Sequence, residues 1–331
     1  MVNKIYITVT TTLFIALGFI ISPSFVYADS SETFNKWLLE FKQEAIQKGI
    51  TKNTIKLGLI DIKPIPRIIE LDRKQPESTM SFKKYLSLIV NQRRVNIGQK
   101  LLNENLSLLK EVSTRFGVQP RFIVSLWGIE TNYGKNTGGF SVISALVTLA
   151  YDGRRSKYFR KELIYALQII DQGHITPGDM KGSWAGAMGQ SQFMPSSFMK
   201  FAYDFNGDGS KDIWNDKGDV FASAANYLSG VGWRPDITWG REVSLPHNFD
   251  ANLANIKITK KMSQWRTLGV RRVDGAELPL REINASIVIP GKTSGPSYLV
   301  YDNYRALLRW NRSYYFATAV GILSDKISIN Q

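Results

Sequence analysis

The sequence predicts a mainly helical α+β protein with a small β-containing segment toward its C-terminal end. Apolar residues recur every three or four positions in residues 31–109, as expected for helices with one buried face. Residues 116–230 are also mostly helical but are punctuated by glycine-rich turns, whereas residues 236–298 contain β-branched runs bounded by Pro, Gly and Asn. Helices should therefore form most of the fold, with strands confined to the later segment.

Three β-branched runs are the expected strands, namely Ile237-Thr238-Trp239, Glu242-Val243-Ser244-Leu245 and Ser286-Ile287-Val288-Ile289. The chain then returns to helix over residues 303–326, with a break near Asn311 and a restart at Ser313. A chain of 331 residues is long enough for one large domain or two modest ones.

The composition excludes several kinds of chemistry. The chain has no cysteine, which removes disulfides, thiolate zinc sites, iron–sulfur clusters, cysteine nucleophiles and a lipoprotein anchor. It has two histidines, too few for a histidine-rich metal centre. The formal net charge of +14 suits an anionic partner, which could be nucleic acid, acidic lipid or a polyanionic glycan.

The N-terminus predicts export. Lys4 precedes an uncharged, largely apolar stretch that ends in Val26-Tyr27-Ala28, a typical small-x-small cleavage site. We therefore expect residues 1–28 to be a signal peptide; the alternative is a retained membrane anchor, because the apolar stretch is nearly long enough to span a bilayer. The predicted location is the periplasm, with no stable membrane insertion after cleavage, and an exported basic protein is expected to meet an envelope polymer rather than nucleic acid.

A candidate catalytic acid lies at the end of a strongly apolar helix. Pro120 suits the first helical turn, the following residues are apolar on nearly every face, and Glu130 falls in the last turn. Desolvation and the helix dipole should both raise the pKa of a carboxyl in this position, as a general acid requires near neutral pH. The alternative is a structural glutamate that reaches solvent or pairs with a basic residue.

A glycine-rich block over residues 181–197 offers a second candidate element. Its glycines would let a ligand approach the backbone closely, and Ser183, Gln190 and Gln192 could hydrogen-bond the hydroxyl or acetamido groups of a sugar. The alternative is a tight turn between packed helices.

Together these segments resemble the lytic murein transglycosylase B family. The resemblance rests on the motifs Gly128-Ile129-Glu130-Thr131-x-Tyr133-Gly134, Arg154-Arg155, Lys181-Gly182-Ser183-x-Ala185-Gly186-Ala187-Met188-Gly189-x-x-Gln192-Phe193-Met194-Pro195 and Trp310-Asn311-Arg312-Ser313. It implies a lysozyme-like core with an additional helical domain and a small β-containing domain. The implied division is a signal peptide (1–28), an N-terminal helical domain (29–115), a catalytic core (116–235), a small β-containing domain (236–300) and C-terminal helices that complete the cleft (301–331).

The resemblance also implies an activity and its residues. Family members cleave the β-1,4 bond from N-acetylmuramic acid to N-acetylglucosamine in peptidoglycan and form a 1,6-anhydro sugar without water. The acid/base then falls on Glu130, and Ser183, Gln192, Asn311 and Tyr85 fall on cleft or saccharide-binding positions. Arg154 and Arg155 fall where cations would suit the peptide or lactyl carboxylates of the glycan. The implied partner is the peptidoglycan strand; no organic cofactor and no particular protein partner is predicted.

The carboxylates support this interpretation weakly. Ordinary glycosidases use two carboxyl groups that flank the scissile bond. The nearby candidates for a second group are Asp152, Asp171 and Asp179, and none lies in the shared motifs. One carboxyl suffices if the 6-hydroxyl of the sugar is the nucleophile. The alternatives are a hydrolytic muramidase and a non-catalytic peptidoglycan-binding protein.

An acidic loop has the spacing of an EF-hand calcium site. Asp204, Asn206, Asp208 and Ser210 match the first ligand positions, and Gly209 matches the glycine of the sharp turn. Asn215 stands where the bidentate glutamate belongs. The resemblance implies that Asp219 closes a loop that is longer here by one residue. We predict a structural calcium ion, with sodium or an ion-free Asp-Gly turn as the alternatives.

Overall fold

The computed structural model describes residues 30–74, 80–291 and 295–328. The predicted signal peptide, residues 1–28, lies outside the described residues. The described chain is mainly helical with a small sheet, which confirms the predicted fold class. Within these ranges, no helix is both long enough and apolar enough to cross a membrane.

Before Pro120 the described ranges contain six helices, and capping residues explain where several of them begin. Thr51, Ser81 and Asn91 each accept a hydrogen bond from the backbone N–H three residues later, which satisfies a donor of the first turn. The helices are α1 (Ser30–Gln47), α2 (Lys52–Gly58), α3 (Pro66–Arg73), α4 (Phe82–Ile89), α5 (Gln92–Glu104) and α6 (Leu106–Phe116).

The middle of the chain contributes further helices and one short antiparallel strand pair. The elements are α7 (Pro120–Thr131), β1 (Phe140–Ser141), α8 (Val142–Asp152), α9 (Ser156–Asp171), β2 (Lys181–Gly182), α10 (Pro195–Phe201) and α11 (Lys217–Gly230). Strands β1 and β2 pair through Phe140 and Gly182. This pairing ties the glycine-rich block to the start of α8.

The later segment forms an antiparallel five-stranded sheet with the strand order β4-β6-β7-β3-β5. Its elements are β3 (Gly240–Ser244), β4 (Lys260–Lys261), α12 (Met262–Thr267), β5 (Arg271–Arg272), β6 (Asn284–Val288) and β7 (Ser297–Val300). Ile237-Thr238-Trp239, expected as a strand, instead precedes β3 as irregular structure. The reason is tertiary: the Trp239 indole is buried, and its N–H donates to Asp325.

The last two helices that the structure describes are α13 (Asp302–Trp310) and α14 (Tyr314–Ile327), and the predicted break at Asn311 and restart at Ser313 are both present. Helix α14 packs directly against α7. The last described helix is thereby brought to the helix that carries Glu130.

The hydrophobic residues form three clusters. The first joins α4–α7 with α11, α13 and α14; the second joins α1–α3 with α8–α10; the third lies under the small sheet. The helices before Pro120 thus divide between two clusters, with α1–α3 packed on the α8–α9 hairpin. The five-part domain division stays a prediction.

Candidate active site

Glu130 lies in the last turn of α7, partly exposed at the end of an otherwise buried helix. The Nε1–H of Trp310 donates a hydrogen bond to Glu130 Oε1 at 2.7 Å. Burial among apolar side chains raises the pKa of Glu130 from 4.5 to about 7, and the bond from Trp310 opposes that shift. Among the described residues, no other charged group contributes to the shift. The carboxyl is therefore poised to hold or release a proton near neutral pH.

The cavity beside Glu130 is small and mostly apolar. Its volume of about 10 Å³ is close to the minimum volume that holds a single water molecule. The walls are mostly apolar and aromatic: Ile123, Leu126, Trp127, Gln190, Ser191, Val220, Phe221, Ala224 and Trp310. Such walls account for the desolvation that raises the pKa of the carboxyl.

The chain reverses immediately after Glu130 through two residues in the left-handed region. Asn132 and Tyr133 have φ values of 51° and 60°, an unusual backbone conformation for side chains other than glycine. The Tyr133 ring folds back over Gly128, where an added Cβ would lie 2.6 Å from the ring, and its hydroxyl donates to the Arg94 carbonyl at 2.7 Å. The Gly128 and Tyr133 positions of the sequence motif thus shape the end of α7.

The side-chain amide of Gln190 forms two hydrogen bonds inside the protein, close to Glu130. Its Oε1 accepts from the Trp127 indole and its Nε2 donates to the Trp214 carbonyl, each at 2.7 Å. Both ends of the amide are engaged inside the protein. This role differs from the direct glycan contact that the sequence predicts, and it arises because Trp127 and Trp214 reach Gln190 only in the folded chain.

Ser183 and Gln192 keep hydrogen-bonding capacity within the glycine-rich block. Ser183 Oγ accepts from the Ala187 N–H at 3.0 Å, and its own hydroxyl hydrogen has no acceptor among the described residues. Gln192 Nε2 donates to the carbonyls of Thr137 and Gly189, each at 3.0 Å, which leaves Oε1 without a donor in the described chain. Gln192 also has a φ of 48°. Strained backbone of this kind is often found at functional sites.

Trp310 belongs to one of the sequence motifs, but the motif did not indicate its contact with Glu130. The indole packs against Phe193 and Tyr227, with ring centroids 5.3 Å and 4.8 Å away, while its N–H reaches Glu130. The Tyr227 hydroxyl donates to the Arg309 carbonyl at 2.6 Å. The available signal was the position of Trp310 directly before Asn311.

Tyr85 and Asn311 line one cavity of about 380 Å³, together with Met80, Leu88, Ile89, Ser313, Tyr315 and Phe316. The Tyr85 ring lies 5.5 Å from the Tyr315 ring. Asn311 Oδ1 accepts from the Ser313 N–H at 3.0 Å, and its amide hydrogens have no acceptor among the described residues. Because Asn311 follows Trp310, this cavity lies close to the Glu130 contact.

Arg154 and Arg155 both bind a buried partner. Arg154 Nε lies 2.7 Å from Asp72 Oδ2, Arg155 donates to Asp72 Oδ1 at 2.6 Å, and the Asp72 side chain is only 2% exposed. Burial favours the neutral carboxyl, yet the two guanidinium groups hold the pKa of Asp72 below its ordinary value. The arginine pair therefore joins α3 to the α8–α9 turn, and binding of substrate carboxylates there stays a prediction.

The candidates for a second catalytic carboxylate are engaged elsewhere. Asp152 pairs with Arg73 at 2.9 Å, Asp171 accepts from the hydroxyls of Thr51 and Thr54, and Asp179 accepts from Thr176. A further buried carboxylate, Glu162, caps the start of α10 by accepting from the backbone and hydroxyl of Ser196.

The carboxylates of the predicted metal loop accept hydrogen bonds from backbone N–H groups of the same loop. Asp204 accepts from the N–H groups of Gly207 and Gly209, and the buried Asp219 accepts from those of Phe205 and Asp212. The hydroxyl of Ser210 and the side chains of Asn206 and Asp208 also lie in this loop. Their oxygens are the hard donors that calcium prefers. However, no group of three or more Asp, Glu or His side chains in the described ranges is arranged to hold a metal.

A mainly helical fold that places Glu130, a carboxyl of raised pKa, among apolar walls beside a glycine-rich block fits a class of protein, the glycan-cleaving enzymes that use general acid catalysis. The comparisons with known proteins narrow this class. The transglycosylase SLT domain family matches residues 33–325. The chain therefore belongs to that family, and it is a lytic transglycosylase with a lysozyme-like fold.

Three relatives illustrate the match. Membrane-bound lytic murein transglycosylase B of Escherichia coli (strain K12) is 29% identical over 97% of this chain and 91% of its own length. SltB3 of Pseudomonas aeruginosa, solved with NAG-anhNAM-pentapeptide, superposes with a TM-score of 0.86 at 42% identity, covering 89% of this chain and 79% of that one. Escherichia coli Slt35, solved with calcium, gives a TM-score of 0.76 at 27% identity over 88% of this chain and 92% of that one.

Proposed function

We propose that this enzyme cleaves the β-1,4 bond between N-acetylmuramic acid and N-acetylglucosamine in peptidoglycan and forms 1,6-anhydro-N-acetylmuramic acid, with Glu130 as its one general acid and base. The observation that carries the assignment of Glu130 is its environment. It is a carboxyl with a pKa of about 7 at a partly exposed helix end, and no charge on another described residue contributes to that value. The related SltB3 was solved with a NAG-anhNAM ligand, which agrees with an anhydro product.

The hydrogen bond from Trp310 gives the two carboxyl oxygens of Glu130 different roles. Oε1 accepts from the indole N–H and is the poorer site for a proton, so Oε2 carries the acidic proton. In the first half of the reaction, that proton moves to the glycosidic oxygen as the bond to the anomeric carbon breaks. The leaving sugar departs as an alcohol, and Glu130 remains as a carboxylate.

In the second half of the reaction, the 6-hydroxyl of the same sugar attacks the anomeric carbon. The Glu130 carboxylate accepts the hydroxyl proton, which restores the acid for the next turnover. The hydroxyl is tethered to the reacting ring, and intramolecular attack of this kind reaches effective molarities of up to ~10⁵–10⁸ M. The small, mostly apolar cavity beside Glu130 favours this internal nucleophile over water.

Ser183, Gln192, Asn311 and Tyr85 are proposed to hold the glycan. The free hydroxyl hydrogen of Ser183, the free Oε1 of Gln192 and the two amide hydrogens of Asn311 offer two donor groups and one acceptor to sugar hydroxyl and acetamido groups. Tyr85 adds an aromatic wall to the cavity that it shares with Asn311.

The product distinguishes this reaction from the alternatives. Digested peptidoglycan should yield muropeptides lighter by one water than hydrolysed ones, with no reducible sugar end. Glu130→Gln should lose at least ~10²–10⁴-fold in turnover, the usual contribution of a general acid, while retaining its fold. Borohydride-reducible ends that incorporate ¹⁸O from water would indicate a hydrolytic muramidase, and full turnover by folded Glu130→Gln would remove Glu130 from the chemistry.

A structural calcium ion in the acidic loop is a second proposal, with Asp204, Asn206, Asp208, Ser210 and Asp219 as oxygen donors. Burial, together with the charges of Asp216 and Asp204, raises the pKa of Asp219. Within the described chain, no Lys or Arg forms a salt bridge with the loop carboxylates, so a cation would relieve their repulsion. Calcium in the related Slt35 structure also supports the proposal. Its role is to stabilise the loop, and no step of the reaction requires it.

The proposed location is the periplasm, where peptidoglycan is accessible to an exported enzyme. The charged and apolar pattern of residues 1–28 supports export. The excess of basic residues, a net charge of +14, supports attraction to an anionic wall polymer.

A further inference from the structure

A second, larger cavity adjoins the catalytic helix. Trp127 and Gln190 line the small cavity beside Glu130, and they also line this one, which has a volume of about 410 Å³. Its other walls come from α5, from the chain just after Glu130 and from the start of α11. None of the residues predicted to bind saccharide contributes to it except Gln190, whose amide is already engaged.

Three lysines give this cavity an excess of positive charge. Lys100 pairs with Glu104 at 3.6 Å, and Lys217 donates only to the neutral Asn105 side chain at 3.4 Å. Lys135 forms no ion pair with any residue that the structure describes. One carboxylate therefore faces three ammonium groups, and the cavity retains about two uncompensated positive charges. All three lysines are exposed and can move toward a ligand.

Apart from Gln190, the remainder of the wall is mostly apolar. Ile97 and Leu101 of α5 are half-buried, and the nearly buried rings of Tyr133 and Trp127 lie beside them. Cations around an apolar wall suit a ligand that joins carboxylates to aliphatic groups. An acidic peptide has this chemistry, whereas a glycan without peptides carries only its lactyl carboxylates and no aliphatic side chains.

The arginine pair does not meet the same need, because Arg154 and Arg155 are both bound to the buried Asp72. We propose that the lysine cavity binds the carboxylate-bearing peptide attached to the glycan beside the cleaved bond. This inference rests on the proposed function, which makes peptide-substituted glycan the substrate. Trp127 and Gln190 line both the small cavity beside Glu130 and the lysine cavity, and a tetrapeptide spans up to ~14 Å when extended, so a peptide on a sugar held at Glu130 is long enough to enter the lysine cavity.

The test compares two substrates with one pair of substitutions. Glycan strands that carry peptides, and the same strands after an amidase has removed them, are digested by the wild type and by Lys135→Ala/Lys217→Ala. The ratio of kcat/KM on peptide-bearing to peptide-free glycan should fall about 3- to 10-fold in the variant, as expected for two exposed ion pairs. The difference between the wild-type ratio and the variant ratio should shrink at high salt because exposed charges are screened.

Lys56→Ala/Lys110→Ala is the matched control. It removes the same charge from exposed lysines that lie outside this cavity and pair with no carboxylate in the described ranges. The control should keep the wild-type ratio. An equal fall in both double variants would assign the effect to net charge and overturn the inference. Lys135→Gln, which retains a long polar side chain, provides a second variant if the double substitution fails to fold.

Failure of this inference is distinguishable from failure of the proposed function. If the wild type cleaves neither substrate, the proposed function is wrong. If it cleaves both, and the lysine variants keep the wild-type ratio, the enzyme is a transglycosylase but the peptide does not bind in this cavity.

Discussion

Trp310 and Glu130 lie 180 positions apart in the chain, yet the indole nitrogen of Trp310 is 2.7 Å from Glu130 Oε1. The contact connects the last helical hairpin to the catalytic helix. It acts against the burial that raises the pKa of the carboxyl, and it determines which oxygen is left to carry the proton. The acid strength of Glu130 therefore depends on the end of the chain as well as on α7.

Replacing Trp310 with Phe should shift the pH dependence of turnover. The variant keeps an aromatic ring between Phe193 and Tyr227 but loses the N–H that favours the carboxylate, so the pKa of Glu130 should rise further above its ordinary value. Because the acid must be protonated, the alkaline limb of the kcat/KM profile should move to higher pH. Hydrogen bonds to charged groups contribute about 1.5–3 kcal/mol, enough for a measurable shift.

Trp233→Phe is the control for this experiment, since its indole donates to Gln119, outside the site. Its pH profile should match that of the wild type. An alkaline limb that stays in place in Trp310→Phe, or moves toward acid, would contradict the assigned role of the indole.

Glu130 should also make stability depend on pH. Its pKa is about 7 in the folded protein and about 4.5 in the unfolded chain, so the unfolded chain loses its proton first as the pH rises. The wild type should therefore lose stability relative to Glu130→Gln between about pH 4.5 and pH 7, with a constant difference at lower pH. Urea unfolding across this range measures the effect. Glu111→Gln, at an exposed site, should follow the wild type, and a Glu130→Gln curve parallel to the wild type would argue against a buried acid.

Gly128→Ala should destabilise the end of α7. An alanine Cβ would meet the buried Tyr133 ring at 2.6 Å, and overpacking of this kind costs ~1–3 kcal/mol, more than the gain of about 1 kcal/mol in helix propensity. Turnover should fall with stability because Glu130 is two residues away. Gly139→Ala is the comparison, since a Cβ there meets nothing within 4 Å. Unfolding in urea should separate the two, and equal stability would mean that Tyr133 moves aside without cost.

Calcium should raise the thermal unfolding midpoint of the wild type relative to chelator, by stabilising residues 204–219. Asp208→Ala should lose most of this response because it removes one proposed oxygen donor. Asp250→Ala, outside the loop, should retain it. The same midpoint with millimolar calcium and with chelator would indicate that the loop holds no calcium. A midpoint that rises with sodium but not with calcium would indicate that the loop binds sodium.

Sequence patterns predicted the features that local chemistry determines. The apolar run that ends at Glu130 indicated the buried helix and the direction of the pKa shift, although only Ile123, Leu126 and Trp127 of the cavity walls belong to that helix. The break at Asn311 and the cap at Ser313 were likewise local. The helical character and the small sheet followed from the periodicity of apolar residues.

Contacts between distant segments could not be predicted in the same way. Gln190 seemed available to a sugar until the fold brought Trp127 and Trp214 to its amide, and Arg154 seemed free until Asp72, 82 positions earlier, occupied its guanidinium group. Trp239 fitted a strand by its neighbours but is held outside the sheet by Asp325. In each case a tertiary partner outweighed the local pattern.

The packing of α1–α3 on the α8–α9 hairpin constrains the order in which the fold can assemble. Hydrogen bonds join Ile65 to Thr148, Thr51 to Asp171 and Glu44 to Arg160, partners that are 83, 120 and 116 positions apart. The chain emerges from a ribosome or a translocation channel with its N-terminus first. Helices α1–α3 therefore lack their packing partners, and their apolar faces stay exposed, until residue 171 has emerged. This delay would keep the leading part of the chain free of stable tertiary structure, which suits passage through a narrow channel.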